Sequence, residues 1–364
     1  RQDIDIRDAL SALPFGDGLV GIIDPPKENV DKSIAACKKA GIKVRMITGD
    51  HLKTAASIAR EIGILTDGKV IDGETLDKLS DEEYFEMVDD IQVYARVKPE
   101  QKMRIVETLK QKGEIVSMTG DGVNDAPALK NASIGVAMGS GTDVAKESGD
   151  MIIQDDNFET IVTAIREGRK IYDNIKRFVK FQVSTNVGAI LTIVGTSIFM
   201  LPVPFNPVQL LWINIVMDGP PAQTLGMEGS ERNIMTRQPE TGDILNKKVL
   251  IKIFIAGLVM AIGSIALFSY KLAIGASQKQ AMTVAFTLFV MYQLFNAYNS
   301  KSNSAKKSTY LYLAIIACFI LQVLIVYIPE LQIIFRTTSI GLTDWILIFI
   351  IAATILIANK IVVE

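Results

Sequence analysis

Residues 115–130, IVSMTGDGVNDAPALK, decide the fold of the first half of the chain. A short apolar run, 115–118, leads into a loop with two glycines, two carboxylates and an amide, and a helical pattern follows from Ala126. An apolar run, a glycine-rich polar loop and a helical period are typical of a strand, a loop and a helix. So many polar groups in one loop at a strand end indicate a functional site.

The same alternation of short apolar runs and longer helical patterns extends through the first half. The runs lie at 19–23, 27–40, 44–47, 54–62, 93–97, 100–112, 115–118, 126–131, 134–137 and 151–153. This order predicts an α/β fold, a doubly wound parallel sheet whose active site lies at the C-terminal ends of the strands. We assign residues 1–165 to this domain.

Residues 166–364 form a second, far more apolar domain. Stretches of about 20 residues, long enough to cross a bilayer, predict an α-helical bundle of six transmembrane helices. They lie near 178–200, 207–227, 249–271, 281–299, 309–328 and 343–360. Most flanking basic residues fall on one side, which predicts that the first domain and the C-terminus face the cytosol. These residues are Arg177, Lys180, Arg232, Arg237, Lys247, Lys248, Lys301, Lys306, Lys307 and Lys360.

Composition excludes several classes of partner and site. A net charge of −2 gives no reason to expect nucleic acid, which usually demands a basic face. The two cysteines, Cys37 and Cys318, lie in different domains, so a disulfide framework is not available. A single histidine, His51, argues against a zinc site.

Polar loops at three predicted strand ends suit phosphoryl transfer, which needs donors, a fixed positive charge and carboxylates that hold Mg²⁺. Thr48 and Gly49 can supply donors, and Lys102 can supply the charge. Asp121 and Asp125 can hold Mg²⁺. Taken singly, the first loop also reads as an ordinary turn, and Lys102 as a solvated helix lysine.

The second predicted span contains a carboxylate, Asp218, near its middle. Placing a charged group in the middle of a bilayer costs free energy, so such a group indicates a functional site. For a carboxylate we predict a cation site. Asn214 lies four positions earlier, on the same face of a regular helix, and Gly219-Pro220-Pro221 interrupts helical hydrogen bonding. Asn186 in the preceding span supplies another oxygen, although both asparagines also suit interhelical hydrogen bonds. Oxygen ligands without Cys or His favour Ca²⁺, Mg²⁺ or Mn²⁺.

Three segments resemble the P-type ATPases: 24–26 (DPP), 46–50 (MITGD) and, most specifically, 118–130 (MTGDGVNDAPALK). The resemblance covers essentially the entire chain. It implies a haloacid-dehalogenase-like phosphorylation domain, here partial, that uses ATP and Mg²⁺ and in which catalytic side chains surround an aspartyl phosphate. The residues so implied are Thr48, Gly49, Asp50, Lys102, Asp121, Asn124 and Asp125, with cofactor contacts from Asp24, Thr119 and Gly120.

The sequence departs from the family because it has no Asp-Lys-Thr-Gly-Thr string, so we expect the phosphorylated aspartate to lie outside this chain. A nucleotide-binding domain and the first four membrane helices are also not recognisable. ATP would then bind through a domain that this sequence lacks. We therefore interpret the chain as a C-terminal portion that is unable to complete a transport cycle by itself.

Residues 211–223 resemble the sixth membrane helix of calcium pumps, particularly the secretory-pathway type. The two-calcium type has glutamate, threonine and glutamate at the positions of Ala189, Met217 and Gln293. The resemblance therefore implies one divalent cation per cycle, Ca²⁺ with Mn²⁺ as an additional substrate, and Gln223 as a residue that tunes selectivity.

Other functions stay open at this point. They are a pump for Na⁺, H⁺ or Mg²⁺, a membrane-anchored phosphatase-like hydrolase, and a non-catalytic scaffold. Short loops favour a multi-pass protein of the bacterial plasma membrane.

Overall fold

The computed structural model describes residues 26–240, 242–302 and 308–361, with side chains described up to 357. The described chain divides into two compact units. The first contains residues 26–38 and 42–162, and the second contains residues 39–41 and everything described from 163 onward. The run at 19–23, Asp24, Lys306, Lys307 and the side chain of Lys360 lie outside the described residues.

The first unit alternates strands and helices, as the sequence predicts. Its helices are α1 (Val30–Lys39), α2 (Leu52–Glu61), α3 (Gly73–Lys78), α4 (Asp81–Met87), α5 (Pro99–Gln111), α6 (Ala126–Asn131) and α7 (Asp143–Ser148). Its strands are β1 (Met46–Ile47), β2 (Lys69–Asp72), β3 (Ile91–Ala95), β4 (Ser117–Gly120), β5 (Ile134–Met138) and β6 (Met151–Ile153). Local signals set several boundaries: Pro99 opens α5, and Ser80 and Glu83 form a capping box at α4.

All described strand pairs are parallel, which confirms the predicted sheet type. The strands form two three-stranded sheets, in the orders β1-β3-β2 and β4-β5-β6. Strand β2 was not expected from the sequence, because its four residues include only two apolar positions, Val70 and Ile71. The sheets pack on their helices through apolar clusters, in which Ile47 and Val116 adjoin the core residues of both α5 and α6. Ile47, at the end of β1, and Val116, just before β4, therefore both pack near α5.

The second unit is helical. It contains the long helix α8 (Phe158–Ile198, which begins in the first unit), α9 (Pro207–Leu211), a π-helix (Trp212–Met217), α10 (Gly219–Gly226), α11 (Lys247–Ala273), α12 (Gln278–Asn299), α13 (Thr309–Tyr327), α14 (Pro329–Phe335) and α15 (Leu342–Ile361). Helix α12 is the centre of the bundle, since 83% of its most apolar 18-residue stretch is buried inside the protein. It packs against α11, α13 and α15.

Four of the described helices, rather than the predicted six, are long and apolar enough to cross a membrane: α8, α11, α12 and α13. The stretch predicted at 207–227 is divided into α9, the π-helix and α10, because the Gly219-Pro220-Pro221 sequence interrupts the regular hydrogen bonding. Helix α15 is also apolar, but the part of it whose side chains are described, Leu342–Ile357, is shorter than a full span.

A buried ion pair joins the end of α11 to the start of α15. Lys271 Nζ lies 2.7 Å from Asp344 Oδ1, and both side chains are 8% exposed.

We expect Lys271→Met to destabilise the chain by about 3–5 kcal/mol, because the substitution leaves a carboxylate buried without its partner. Thermal unfolding in detergent micelles measures the effect. The exposed Lys279 provides the control, since Lys279→Met should leave the unfolding temperature nearly unchanged, and the double change Lys271→Met with Asp344→Leu should recover most of the loss. Equal unfolding temperatures for Lys271→Met and the control would contradict this assignment.

Candidate functional site

The first candidate site is centred on Asp125, which lies in the loop after β4. This residue is buried, with 7% of its surface exposed. Lys102, in the first turns of α5, donates from Nζ to Asp125 Oδ1 at 2.6 Å. The other carboxylate oxygen accepts from the backbone N–H groups of Asp121 and Gly122, at 3.3 and 3.2 Å. Both oxygens of Asp125 are therefore engaged, and the carboxylate fixes the lysine and the loop in one arrangement.

Gly120 is required by the same arrangement. A Cβ atom at this position would lie 2.5 Å from Asp125 Cβ, closer than real side-chain contacts come. The glycine thus lets the buried carboxylate fold back over the end of β4. Thr119, beside it, is half-buried in the strand.

The loop after β1 carries Thr48, Gly49 and Asp50. The Thr48 hydroxyl donates to Asp50 Oδ2 at 2.8 Å and accepts from the Asp50 N–H at 3.1 Å, so the two residues form a local turn. Thr48 is half-buried, whereas Gly49 and Asp50 are exposed. The backbone of this loop is bonded to the segment that precedes α5, since Val97 N donates to Thr48 O at 3.2 Å. Lys102 and the Thr48 loop are thereby held on neighbouring elements.

Asp121 and Asn124 are exposed at the same loop as Asp125. With both Asp125 oxygens engaged, Asp121 is the carboxylate of the pair that is free to bind a cation. No group of three or more His, Cys, Asp or Glu side chains suited to a metal occurs in the described ranges. A single exposed carboxylate fits Mg²⁺, which usually keeps several waters and substrate phosphates among its ligands. It does not fit a metal enclosed entirely by protein.

The second candidate site surrounds Asp218, which is 1% exposed in the helical unit. Its Oδ1 accepts a hydrogen bond from Gln293 Nε2 on α12 at 2.8 Å. Among the described residues, its Oδ2 has no hydrogen-bond partner, and neither has Gln293 Oε1. Two buried oxygen acceptors without donors lie at one place, and such groups are costly unless a ligand satisfies them.

The backbone before Asp218 is wound as a π-helix. Asp218 N donates to Ile213 O, five residues earlier, at 3.1 Å. Single π turns inside helices often occur at functional sites. Asp218 is buried, whereas Asn214 and Asn186 are exposed. Residues four apart stay near one face of the helix in a π turn as in an α-helix, so the ligand roles of Asn214 and Asn186 stay predictions.

The structure brings Gln293 to Asp218, a contact that reasoning from the sequence did not assign. The sequence contained one signal for it, since Gln293 is a polar residue in the middle of the apolar stretch 281–299. A second polar residue on α12, Asn296, donates to Ser184 Oγ at 2.8 Å. The polar face of α12 therefore lies toward α8 and the π-helix.

Comparison with known proteins relates both units to one class. Residues 202–363 match the family described as cation transporting ATPase, C-terminus, and residues 3–133 match the haloacid dehalogenase-like hydrolases. The chain is 41% identical over 362 residues to a calcium-transporting ATPase of Bacillus subtilis (strain 168), which covers 94% of this chain and 41% of that protein. It is 38% identical over 357 residues to the human calcium-transporting ATPase type 2C member 1, covering 95% of this chain and 39% of that protein. It is 40% identical over 371 residues to calcium-transporting ATPase 1 of Saccharomyces cerevisiae, covering 97% of this chain and 39% of that protein.

The chain belongs to the P-type cation-transporting ATPases, and its first unit has the haloacid-dehalogenase-like fold. Its similar relatives within this class are calcium-transporting ATPases, including the type 2C proteins. The chain spans about two fifths of the length of the curated relatives that it matches, between 37% and 41%.

Proposed function

We propose that this chain forms the C-terminal part of an ATP-driven pump that moves Ca²⁺ across a membrane through an aspartyl-phosphate intermediate. The observation that carries the proposal is the buried Asp218, whose second oxygen has no partner among the described residues of an apolar helical unit. A bound divalent cation would offset the cost of that carboxylate. The names of the relatives support Ca²⁺ as the ion.

In this proposal the first unit performs phosphoryl transfer. Lys102 places its positive charge beside the transferred phosphate, and Asp125 fixes the lysine and the backbone of the loop after β4. The N–H of Gly49 donates to a phosphate oxygen, the Thr48 hydroxyl turns from Asp50 Oδ2 to donate to the same group, and the exposed Asn124 orients it. Asp121 would hold Mg²⁺, which supplies neutralisation of the phosphate charge. The phosphorylated aspartate and the ATP-binding domain would come from segments that this chain does not contain.

In the helical unit, Asp218 binds the transported ion. The exposed faces that carry Asn186 and Asn214 would meet the remaining membrane helices of the full-length pump. We further propose one Ca²⁺ per cycle, with Mn²⁺ as a second substrate, because Ala189, Met217 and Gln293 bring no carboxylate to the site. Six segments of the chain, including the broken helix 207–226 and α15, would cross a bacterial plasma membrane with the first unit in the cytosol.

Measuring ATP hydrolysis by the full-length pump in proteoliposomes tests the proposal. We expect Ca²⁺ to stimulate hydrolysis, Mn²⁺ to substitute for it, and Na⁺ and additional Mg²⁺ to have no effect. The control is the same preparation with Ca²⁺ chelated and Mg²⁺ kept constant. Stimulation by Na⁺ alone would mean that the transported ion is Na⁺ rather than Ca²⁺. Hydrolysis that is independent of any transported cation would favour a membrane-anchored phosphatase.

A further inference from the structure

Glu228 is a buried carboxylate that belongs to neither candidate site. It lies two residues after the end of α10 and is 4% exposed. Its Oε2 accepts a hydrogen bond from the Ser308 hydroxyl at 2.6 Å and another from the Ser302 N–H at 3.1 Å. Ser302 lies three residues after the end of α12, and Ser308 immediately precedes α13. One carboxylate oxygen therefore holds the chain after α12 and the start of α13 against the end of α10.

The bond between Ser308 and Glu228 replaces the ordinary cap of α13. A serine at the N-cap position usually accepts a hydrogen bond from a backbone N–H in the first turn of its own helix. Ser308 makes no such bond and donates its hydroxyl to Glu228. Hydroxyl groups form short, strong bonds with carboxylates, and a carboxylate near a helix N-terminus is favourable. The start of α13 is thus stabilised by a residue of another element.

The backbone around Glu228 is bonded to α8 as well. Asn174 of α8 is 2% exposed, and its Nδ2 donates to Gly226 O and to Glu228 O, both at 3.0 Å. Carbonyl groups at the end of a helix have no donor within that helix, so they need partners of this kind. The Ser302 hydroxyl donates to the next carbonyl along the chain at 3.1 Å. We call the contacts among Asn174, Glu228, Ser302 and Ser308 the Glu228 junction.

Helix α10 connects the Glu228 junction to Asp218. It begins directly after Asp218 and contains eight residues, which corresponds to about 12 Å at 1.5 Å per residue. Asp218 O accepts from Ala222 N at 3.0 Å, so the backbone of Asp218 is part of the same helix. Helix α10 packs against α8, α12 and α13 through an apolar cluster that contains Phe181, Ala222, Leu225, Ala297 and Leu311. Asp218 and the junction therefore lie at the two ends of one short helix.

We propose that Glu228 is a positioning residue of the cation site. By fixing the far end of α10 to α8, α12 and α13, it determines where the Asp218 carboxylate lies relative to Gln293 on α12. Loss of the junction would let the end of α10 move relative to α12 and would weaken cation binding, although Glu228 lies at the other end of the helix. The inference rests on the proposed function, because it assumes that Asp218 binds the transported ion.

Ca²⁺ titrations of ATP hydrolysis by the full-length pump in proteoliposomes test the inference. We expect Glu228→Ala to raise the half-saturating Ca²⁺ concentration by about tenfold, the order of one lost hydrogen bond to a charged group. The maximal rate should change by less than about twofold, because the substitution acts on binding. Glu228→Gln keeps an acceptor oxygen for both donors and should restore the half-saturating concentration to within about threefold.

Ser308→Ala provides a second, independent variant. It should shift the Ca²⁺ titration in the same direction as Glu228→Ala. Adding it to Glu228→Ala should have little further effect, since both substitutions remove the same contact. The matched control is Glu240→Ala, in the same segment after α10. Glu240 is paired with Lys176, but its side chain is 39% exposed, so its removal should leave the titration nearly unchanged.

Hydrogen exchange of the same variants without Ca²⁺ separates positioning from a general loss of folding. In Glu228→Ala, faster exchange should be confined to α10 and the first turn of α13. A general loss of folding would instead lower the maximal rate and leave the half-saturating Ca²⁺ concentration unchanged. An unchanged half-saturating concentration in Glu228→Ala, an equal shift in Glu240→Ala, or no recovery in Glu228→Gln would each overturn the inference. If the unmodified pump does not respond to Ca²⁺, the proposed function itself fails, and the assignment of Glu228 fails with it.

Discussion

Replacing Asp218 with asparagine should abolish Ca²⁺-stimulated ATP hydrolysis in the full-length pump. The substitution keeps the shape of the side chain and its contact with Gln293 but removes the charge that a divalent cation requires. Removing one partner of a buried charge pair costs about 3–5 kcal/mol, which corresponds to a loss of Ca²⁺ affinity of at least about a hundredfold. Hydrolysis measured across a Ca²⁺ titration gives the affinity and the maximal rate separately.

Two controls make the Asp218 result specific. Asp243→Asn removes an exposed carboxylate from the loop before α11 and should leave the Ca²⁺ titration unchanged. Phosphorylation of the Asp218→Asn variant by inorganic phosphate with Mg²⁺ should persist, because it uses the first unit. A Ca²⁺ titration that is the same in Asp218→Asn and the unmodified pump would place the ion elsewhere while leaving the phosphoryl-transfer proposal intact.

Changing Lys102 to methionine should lower the rate of phosphoenzyme formation by about two to three orders of magnitude, as removal of a preorganised donor to a developing charge does. The substitution removes the charge beside the phosphate and leaves the buried Asp125 carboxylate without its ion pair. Rapid-quench measurement with radiolabelled ATP gives the rate directly. Ca²⁺ binding at equilibrium should be retained, since Asp218 lies in the other unit.

Lys98→Met is the matched control for Lys102. Lys98 lies just before the same helix, its side chain is 71% exposed, and its Nζ is 3.8 Å from Asp77 Oδ2. Exposed pairs of this kind contribute little, so the rate should change by less than about threefold. Similar losses in both variants would mean that the charge of α5 as a whole, rather than the Lys102–Asp125 pair, supports the reaction.

The local geometry of the loop after β4 could largely be foreseen because its residues are close in sequence. The seven-residue loop from Thr119 to Asp125 contains its own hydrogen-bond donors and acceptor, and the glycine at 120 leaves the room that the Asp125 side chain occupies. The role of Asp125 could not be foreseen. Which of two nearby carboxylates folds inward depends on the position of Lys102, and that position follows from how α5 packs on the sheets.

In the helical unit, reasoning from the sequence singled out Asp218 but not its contact with Gln293. Hydropathy identifies a charged residue within an apolar span, but it cannot identify the partner of that residue on another helix. Here the partner, Gln293, is 75 positions away in the chain. A π turn depends on which backbone hydrogen bonds form near Gly219-Pro220-Pro221. The spacing of apolar residues in the sequence does not reveal this choice. For the same reason the segment 207–226 read as one span although it consists of three helical pieces.

The π turn also makes spacing along the chain a determinant of the site. Asn206 anchors the start of this segment, because its side chain caps α9 and donates to Phe335 O at 2.9 Å. The number of residues from that anchor to Asp218 sets the direction in which the carboxylate projects. Inserting or deleting one residue between them would rotate it by about 100°, away from Gln293. Homologous pumps can therefore exchange side chains in this interval far more readily than they can change its length.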